Sequence, residues 1–201
     1  MDISGVKWLG LTGGIATGKT TACNYLIQKS IPVIDADKIS HSLLQAGGRA
    51  VNEIVDKFGD NVVNFDGSIA RPKLGEIVFK DNKKLLVLNQ IMHPLVREIT
   101  NEMKDDLVSK GHQIIINDVP LLFENNLQNQ YDKTILIYCD GDTQVQRLKK
   151  RNNFSDSEIE ARLKSQMHIE DKKQMADFII NNSFEEQELF NQLDKLISNF
   201  S

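Results

Sequence analysis

Eight consecutive residues near the start of the chain have the types and spacing of a phosphate-binding loop. Residues 13–20 read Gly-Gly-Ile-Ala-Thr-Gly-Lys-Thr and satisfy the pattern G-x-x-x-x-G-K-[ST] at every fixed position. Glycines let the backbone wrap around a phosphate with converging N–H groups, where a side chain would block the approach. In such a loop Lys19 would reach the β- and γ-phosphates of a nucleotide, and Thr20 would ligate Mg²⁺. The residues expected to bind the nucleotide are Gly13, Gly14, Ile15, Ala16, Thr17, Gly18, Lys19, Thr20 and Thr21.

The flanking segments favour this interpretation over a glycine turn that matches the pattern by chance. An apolar run of strand length, Val6 to Thr12, precedes the loop, and Lys19 to Lys29 fits a helix whose positive dipole end would face the phosphates. The chain has neither the Asn-Lys-x-Asp of switch GTPases nor an LSGGQ signature. We interpret the DxxG at Asp56–Gly59 as coincidental, because it follows a helical pattern. These features are most typical of a small-molecule kinase.

Two aspartates follow the second apolar run, Ile31 to Asp35, in the sequence Asp35-Ala36-Asp37. Ligands of a parallel sheet lie beyond the carboxyl ends of its strands, so these carboxylates are expected on the nucleotide side. Asp37 is the candidate for accepting the proton of an acceptor hydroxyl, and Asp35 is a candidate for holding Mg²⁺ through water. Either aspartate would equally serve as the cap of the following helix.

A third aspartate, Asp118, ends the run of isoleucines at residues 114–116. A hydrophobic strand followed by an aspartate is the Walker-B pattern, in which the carboxylate holds Mg²⁺. We therefore expect Thr20 and Asp118 to be the metal-ligating residues. Whether Asp35 or Asp118 holds the ion stays open at this point.

Five short apolar runs separated by helical patterns predict an α/β fold with a parallel sheet. After the first two runs, the others are Gln113 to Asp118, Lys133 to Cys139 and Ala176 to Asn181. The later helical patterns are Thr143 to Asn152, Ser155 to Ile169, which opens with a capping box at Ser155 and Glu158, and Phe184 to Phe200.

The section from about residue 37 to residue 110 is predicted to be mainly helical. Its helical patterns are Ala50 to Phe58, Leu74 to Phe79, Lys83 to Met92 and Pro94 to Val108. A small hairpin or turn is expected at Val62 to Ile69, which contains Asp66-Gly67. We interpret the whole section as a helical insertion beside the sheet.

Composition limits the classes of function. The chain has 201 residues, of which 40% are hydrophobic and 26% are charged, so it can bury a core without disulfides. A net charge of −4 argues against a nucleic-acid coat. The two cysteines, Cys23 and Cys139, form no CxxC pattern and predict neither a disulfide scaffold nor a zinc site. The opening Met-Asp-Ile-Ser-Gly has no signal-peptide character and no apolar run approaches a membrane span, so we expect a cytoplasmic protein.

With these motifs placed, the sequence resembles the dephospho-CoA kinase family from Leu9 to about Asn182. The most distinctive match is Pro-Leu-Leu-Phe-Glu at residues 120–124, after the third strand. The other matches are Gly10 to Ile15 with Gly18-Lys19, Asp35-Ala36-Asp37, Phe58-Gly59, Arg71 with Leu74-Gly75 and Val78-Phe79, Ile91 with His93 to Val96, Gln144, Arg147, Arg151, Arg162, Gln166 and Ala176-Asp177. The chain departs from the family at Ala16-Thr17, where Gly-Ser is usual, and at Asn89, where glutamate is expected.

The resemblance implies a phosphotransferase that uses ATP and Mg²⁺ to phosphorylate the 3′-hydroxyl of the dephospho-CoA ribose, giving coenzyme A and ADP in the last step of coenzyme A biosynthesis. It also implies a three-layer P-loop sandwich with a five-stranded parallel sheet, a helical substrate-domain insertion and a lid. The single domain of residues 1–201 then divides into a core (1–36, 111–141 and 170–201), an insertion (about 37–110) and a lid (about 142–169). The expected partner is the small-molecule substrate, without nucleic acid or membrane, in a monomer or small homo-oligomer.

The resemblance also implies roles for individual residues. Asp37 would be the catalytic base, assisted by Lys19 and Arg147. Arg147 and Arg151 lie four residues apart on one helix face, and as lid arginines they would close over the phosphates, although they would also fit a solvated basic face. The residues expected to meet the anionic substrate are Asp37, Arg71, His93, Arg97, Leu121 and Glu124. Alternatively, His93-Pro94 begins a helix, and Pro120 to Phe123 is ordinary core.

Two other functions stay open. One is a kinase for a different acceptor, such as a nucleoside, a nucleotide or a shikimate-like acid. The other is a non-catalytic nucleotide-binding regulator, which would keep residues 13–20 but need neither Asp37 nor the paired arginines.

Overall fold

The computed structural model describes residues 5–152 and 154–200. Residues 1–4, on which the expectation of no signal peptide depends, lie outside the described part. The strands are β1 (Lys7–Gly13), β2 (Val33–Asp35), β3 (Ile114–Asp118), β4 (Lys133–Tyr138) and β5 (Phe178–Asn181). The helices are α1 (Lys19–Gln28), α2 (Ala36–Leu43), α3 (Val51–Phe58), α4 (Arg71–Val78), α5 (Asn82–Ser109), α6 (Gly141–Asn152), α7 (Asp156–Lys164), α8 (Ile169–Met175) and α9 (Glu186–Ser198).

The five strands form one parallel sheet in the order β2-β3-β1-β4-β5, which confirms the predicted sheet. Strand β1 lies in the centre, with Leu11 opposite Asp118 of β3 on one side and opposite Ile135 of β4 on the other. After β1 the chain forms β2 and β3 on one side of that strand, and it later forms β4 and β5 on the other side. Ligands of open α/β sheets bind beyond the carboxyl ends of the strands at such a switch point. The glycine-rich loop follows β1 at this point.

Helices cover both faces of the sheet at its central strands, which explains why these strands are largely apolar. Leu9, Leu11, Ile135 and Ile137 pack on one face with buried residues of α1 and α9, including Leu193. On the opposite face, Leu136 and Tyr138 pack against Ile169 of α8. Alternate residues of a strand point to opposite faces, so each strand contributes to both layers.

The described residues fall into two compact units, one containing residues up to Ile34 and from Leu107 onward, and the other containing Asp35–Asp106. The second unit is mainly helical, as the sequence predicts, and buries Leu43, Ile54 and Leu74. The turn expected at Val62 to Ile69 is present, with an antiparallel bridge between Val63 and Ile69.

Helix α5 differs from the prediction, because it continues through Pro94 instead of beginning there. Proline inside a helix has no N–H to donate and normally breaks it. Here the helix has a buried residue on each side of the proline, Ile91 before it and Thr100 after it, so its packing continues across the proline. On the exposed surface Arg49 binds Glu102 through two nitrogen–oxygen contacts of 3.0 and 3.1 Å and lies 3.4 Å from Glu98, which adds little stability. The interpretation of His93-Pro94 as a helix start is therefore wrong.

The segment Ser155 to Ile169 also differs, because it forms two helices, α7 and the start of α8, rather than one. The capping box of Ser155 and Glu158 at the start of α7 is confirmed. Helix α7 ends at Lys164, and His168 caps α8 by accepting a hydrogen bond from the Glu170 N–H. The four residues between these helices, 165–168, are called the return segment below.

In the described ranges, 5–152 and 154–200, no helix is both long enough and apolar enough to cross a membrane.

The connection from β4 to α6 predicts a pH dependence of stability. Asp140 accepts hydrogen bonds of 2.8 Å from both the N–H and the hydroxyl of Thr143, and these bonds lower the pKa of Asp140 from 3.8 to about 2. A carboxylate whose pKa is lower in the folded state stabilises the fold above its unfolded pKa, and this stabilisation is lost as the pH falls through the folded pKa. We expect Asp140→Ala to lower the melting temperature at pH 7 by a few degrees, as loss of a helix cap does.

The difference in melting temperature between the wild type and Asp140→Ala should then be smaller at pH 3 than at pH 7, measured by thermal unfolding. Asp142→Ala, which removes an exposed aspartate from the first turn of the same helix, is the matched control. A deficit in Asp140→Ala that stays constant from pH 7 to pH 3 would contradict the assigned role of the carboxylate.

Candidate active site

The backbone of the loop at residues 13–20 adopts the conformation that its glycines predict. Gly18 has φ +91°, a left-handed value that glycine adopts without strain, and Ala16 has φ +63°. The turn is closed by Thr17, whose N–H and hydroxyl both donate to the Gly14 carbonyl, at 3.3 and 2.9 Å. The segment therefore has the backbone conformation of a phosphate loop.

Side chains from the C-terminal half of the chain satisfy the carbonyl groups of residues 15–17. Gln144 of α6 donates to the Ile15 carbonyl at 2.7 Å, and Asn182 donates to the Thr17 carbonyl at 2.8 Å. One guanidinium nitrogen of Arg147 lies 3.4 Å from the carbonyl oxygens of both Ala16 and Thr17. These contacts hold the carbonyl groups of the loop in one orientation.

The return segment contacts the same loop from another direction. The side-chain oxygen of Gln166 accepts a hydrogen bond of 2.9 Å from the Ile15 N–H. Gln144 therefore donates to the carbonyl of Ile15, and Gln166 accepts from the N–H of the same residue. This pair of contacts fixes the orientation of the loop at Ile15.

Gly18 is required by close packing as well as by its dihedral angle. A Cβ atom at this position would lie 2.1 Å from the side-chain nitrogen of Asn182, which is buried and held by its contact with the loop. Arg147 also donates to the Asn182 backbone carbonyl at 2.7 Å. The loop, α6 and the residue after β5 are thus packed too closely for any side chain at Gly18.

Helix α1 begins at Lys19 without a side-chain cap, since its N-cap residue is Gly18, and its first turn contains no acidic residue. The first N–H groups of a helix have no partner inside the helix, and the dipole places partial positive charge there. An uncapped helix start after a preformed glycine loop is suited to bind a phosphate.

Lys19 and Asp118 form an ion pair at the carboxyl ends of β1 and β3. The Lys19 Nζ lies 2.5 Å from the Asp118 Oδ1, and the two side chains are 18% and 9% exposed. The Cys23 thiol donates to the other oxygen of Asp118 at 3.5 Å. The pair therefore places a cation and a largely buried carboxylate beside the start of α1.

The expected metal ligands, Thr20 and Asp118, offer a hydroxyl and a carboxylate, which are the oxygen donors that Mg²⁺ prefers. Within residues 5–152 and 154–200 no group of three or more His, Cys, Asp and Glu side chains is arranged to hold a metal. Mg²⁺ in kinase sites usually takes one or two protein oxygens and completes its shell with water and substrate phosphates. The donor set thus fits Mg²⁺ held together with a nucleotide.

Cys139 lies against the loop but is not a reactive group. Its sulfur is 4.0 Å from the Ala16 carbonyl oxygen. Burial raises the pKa of the Cys139 thiol to about 11, although the nearby Arg147 opposes the shift. Because the thiolate is the nucleophilic form, this thiol is expected to be inert near neutral pH.

The segment after β3 divides into core and exposed residues. Leu122 and Phe123 are buried, as the core interpretation predicts, whereas Leu121 is 40% exposed. Glu124 turns inward, where its Oε1 accepts a hydrogen bond from the Met167 N–H at 3.1 Å and lies 2.7 Å from the Nζ of Lys172. A substrate contact for Leu121 and Glu124 remains a prediction.

The second unit contains the remaining residues expected to meet the substrate. Asp35 caps α2 by accepting a 2.9 Å hydrogen bond from the Lys38 N–H, which confirms the cap interpretation for this aspartate. Asp37 lies in the first turn of the same helix and is exposed. Three more exposed candidates are Arg71, at the start of α4, and His93 and Arg97, four residues apart on α5.

The two arginines of α6 differ in their surroundings. Arg147 is half-buried and contacts the carbonyls of the loop, whereas Arg151, one turn later, is exposed. Closure of both arginines over bound phosphates remains a prediction.

Sequence reasoning missed the roles of Asn182 and Lys172. Asn182 follows the fifth apolar run, and its position after a parallel strand was a signal for the ligand side of the sheet. Lys172 lies three residues after Ile169, so the two share a helix face. This position alone does not predict burial, because a lysine stem can pack on apolar surface while its ammonium stays in water.

The geometry can be compared with known proteins. The family model described as dephospho-CoA kinase (CoaE) matches residues 7–188, most of the chain. The chain belongs to the dephospho-CoA kinase family. A relative from Bacillus cereus (strain ATCC 10987 / NRS 248), named dephospho-CoA kinase, is 44% identical over 193 residues, 96% of each chain. The resemblance drawn from the sequence motifs is confirmed.

Solved structures of similar proteins have the same fold. TT1252 from Thermus thermophilus superposes with a TM-score of 0.82 at 26% identity and covers 98% of both chains. The dephospho-CoA kinase from Campylobacter jejuni has a TM-score of 0.68 at 28% identity, covering 98% of this chain and 99% of its own. The expected fold class is confirmed.

The packing around Gly18 predicts the effect of a single methyl group. Gly18→Ala introduces backbone strain and forces Asn182 away from the loop, so we expect the dissociation constant for ATP, measured by calorimetry, to rise at least about tenfold. Gly111 has φ +87° but nothing within 4 Å of its would-be Cβ. Gly111→Ala therefore carries similar backbone strain, about 1 kcal/mol, without a clash, and should bind ATP like the wild type. Equal ATP affinity in the two variants would refute the packing argument.

Proposed function

We propose that the protein transfers the γ-phosphoryl group of ATP to the 3′-hydroxyl of the dephospho-CoA ribose, giving coenzyme A and ADP. Membership of the dephospho-CoA kinase family supports dephospho-CoA as the acceptor. The observation that carries the chemistry is the preformed phosphate loop after the central strand, with Lys19 paired to Asp118 at its end. Such a loop binds a nucleotide by its phosphates and leaves the terminal phosphoryl group to react.

At the nucleotide, the loop of residues 13–21 and the start of α1 would bind the phosphates through those N–H groups that Gln166 and the Gly14 carbonyl do not already engage. Lys19 would exchange its contact with Asp118 for the β- and γ-phosphates, and Arg147 and Arg151 would offset charge that develops during transfer. Thr20 and Asp118 would hold Mg²⁺, which supplies charge neutralisation to the phosphates when it is bound.

At the acceptor, the 3′-oxygen attacks the γ-phosphorus while the bond from that phosphorus to the β–γ bridging oxygen breaks, and ADP leaves. Asp37 would accept the hydroxyl proton and release it to solvent. Its exposed position in the first turn of α2 supports access for a substrate. The side chains of Arg71, His93 and Arg97 would bind the phosphates of the acceptor, with Leu121 and Glu124 as further contacts.

In this proposal the insertion at about residues 37–110 binds the acceptor, and a lid at about 142–169 excludes water that would otherwise hydrolyse ATP. The protein would act in the cytoplasm on small molecules alone, as a monomer or a small homo-oligomer.

The deciding experiment measures ADP release from ATP and Mg²⁺ with dephospho-CoA, and in parallel with AMP, adenosine or shikimate. We expect ADP release that depends on dephospho-CoA, with coenzyme A formed in equal amount. Turnover with another acceptor would mean that the protein is a kinase but that dephospho-CoA is not its substrate. ATP binding without turnover on any acceptor would instead favour a nucleotide-binding regulator.

The adjacent aspartates provide a matched test of the catalytic base. Asp37→Asn should lower kcat by about 10²–10⁴, because an amide cannot take the proton, while ATP affinity is retained. Asp35→Asn should keep kcat within a few-fold, because asparagine caps a helix as well as aspartate does. Steady-state kinetics on both variants, with calorimetry for ATP, checks this. Equal kcat in the two variants would remove Asp37 from the role of base.

A further inference from the structure

The side chain of Lys172 is fully buried, with 0% exposed, although lysine is rarely found inside a protein without a partner. Its Nζ lies 2.7 Å from the Oε1 of Glu124. The second oxygen of Glu124 is also buried, and no group in the described ranges forms a hydrogen bond with it. Lys172 therefore supplies the counter-charge of a largely buried carboxylate, whose side chain is 19% exposed.

The same carboxylate binds the return segment, residues 165–168. The Oε1 of Glu124 accepts a 3.1 Å hydrogen bond from the Met167 N–H. The preceding residue, Gln166, accepts a 2.9 Å hydrogen bond from the Ile15 N–H of the phosphate loop. Two neighbouring residues of one short segment thus connect Glu124 with the loop.

A different set of contacts attaches α8 to β4. Ile169 packs on Leu136 and Tyr138, and the Tyr138 hydroxyl donates to Glu170 at 2.7 Å. The Glu124–Lys172 pair instead attaches α8 and the return segment to the turn after β3. Since β3 and β4 flank β1, the segment is held on both sides of the strand that leads into the phosphate loop.

We infer that Lys172 is a positioning residue for phosphoryl transfer: by neutralising Glu124 it fixes the return segment, and the return segment holds Gln166 against Ile15. Loss of the ammonium leaves a buried carboxylate that moves toward solvent and takes the Met167 contact with it. Gln166 then no longer holds the loop in one orientation. The activity readout of this inference rests on the proposed function, whereas its structural readout does not.

The structural readout is amide hydrogen exchange without substrate, measured by mass spectrometry on peptides that cover Ile15. We expect Lys172→Met to speed exchange in that peptide about tenfold or more, while peptides of β4 change far less. The kinetic readout is kcat/KM for ATP, which should fall about tenfold. Gln166→Ala should produce a similar loss, and the double variant should lose little more than either single variant, because both act through the same contact.

Two controls separate positioning from loss of stability. Lys173→Met removes the next lysine of α8, which is 41% exposed and 3.7 Å from Glu170, and it should leave both readouts unchanged. Leu193→Ala opens a cavity under the sheet at a side chain that is 0% exposed. It should lower the melting temperature but leave the Ile15 peptide and kcat/KM for ATP near the wild-type values.

Lys172→Met/Glu124→Gln removes both charges and keeps an acceptor for Met167, so no unpaired carboxylate is left to move toward solvent. Its Ile15 peptide should exchange close to the wild-type rate, and this variant serves as the test should Lys172→Met alone fail to fold. Additive losses for Lys172→Met and Gln166→Ala, an Ile15 peptide of Lys172→Met that exchanges like the wild type, or fast exchange that persists in Lys172→Met/Glu124→Gln would overturn the inference. A wild type that fails to phosphorylate dephospho-CoA would overturn the proposed function alone, because the exchange experiment needs no acceptor.

Discussion

The phosphate loop depends on hydrogen bonds from side chains that lie 129 to 165 residues later in the chain. Gln144, Arg147 and Asn182 donate to its carbonyls, and buried backbone carbonyls need such partners. These bonds hold the carbonyl groups of the loop away from the side that would face an anion. The glycine-rich segment has the necessary conformational freedom, but the C-terminal half of the fold selects the conformation that binds phosphate.

Asp118 and Glu124 lie close together in the sequence, and a lysine from a separate helix neutralises each of them. Lys19 comes from α1 and Lys172 from α8, so the two pairs join three segments that are distant in sequence. Buried pairs gain little stability over apolar residues, but removal of one partner typically costs about 3–5 kcal/mol. These pairs therefore add little stability of their own, but they determine which segments of the chain can lie together.

Much of the fold could be predicted because its signals are local. The phosphate loop occupies contiguous residues, and the strands are short, mainly apolar runs because helices cover both faces at the centre of the sheet. Pro94 shows the limit of local rules, since the helix continues through the proline between two buried residues, Ile91 and Thr100. Lys172 shows another limit: within the charged run at residues 170–173 it resembles any solvated lysine, and only the position of Glu124 explains its burial.

The candidate site was predictable to the same degree. Loop residues such as Lys19 could be assigned because their spacing is diagnostic. The sequence alone could not show which of Asp35 and Asp37 caps the helix and which is available for catalysis. The two side chains are chemically identical, and the choice depends on where the helix begins. The contact between Gln166 and Ile15 follows from the break between α7 and α8, which no local pattern indicated.

The start of α1 has no side-chain cap, so an anion in the loop would be the partner of its first N–H groups. A bound nucleotide would supply the missing cap and would bind the folded chain but not the unfolded one. At a nucleotide concentration 100-fold above the dissociation constant, this linkage adds about 2.7 kcal/mol to the free energy of unfolding. The population of unfolded chains open to proteolysis would fall by about a hundredfold. The lifetime of the protein in a cell would then follow the supply of its own phosphoryl donor.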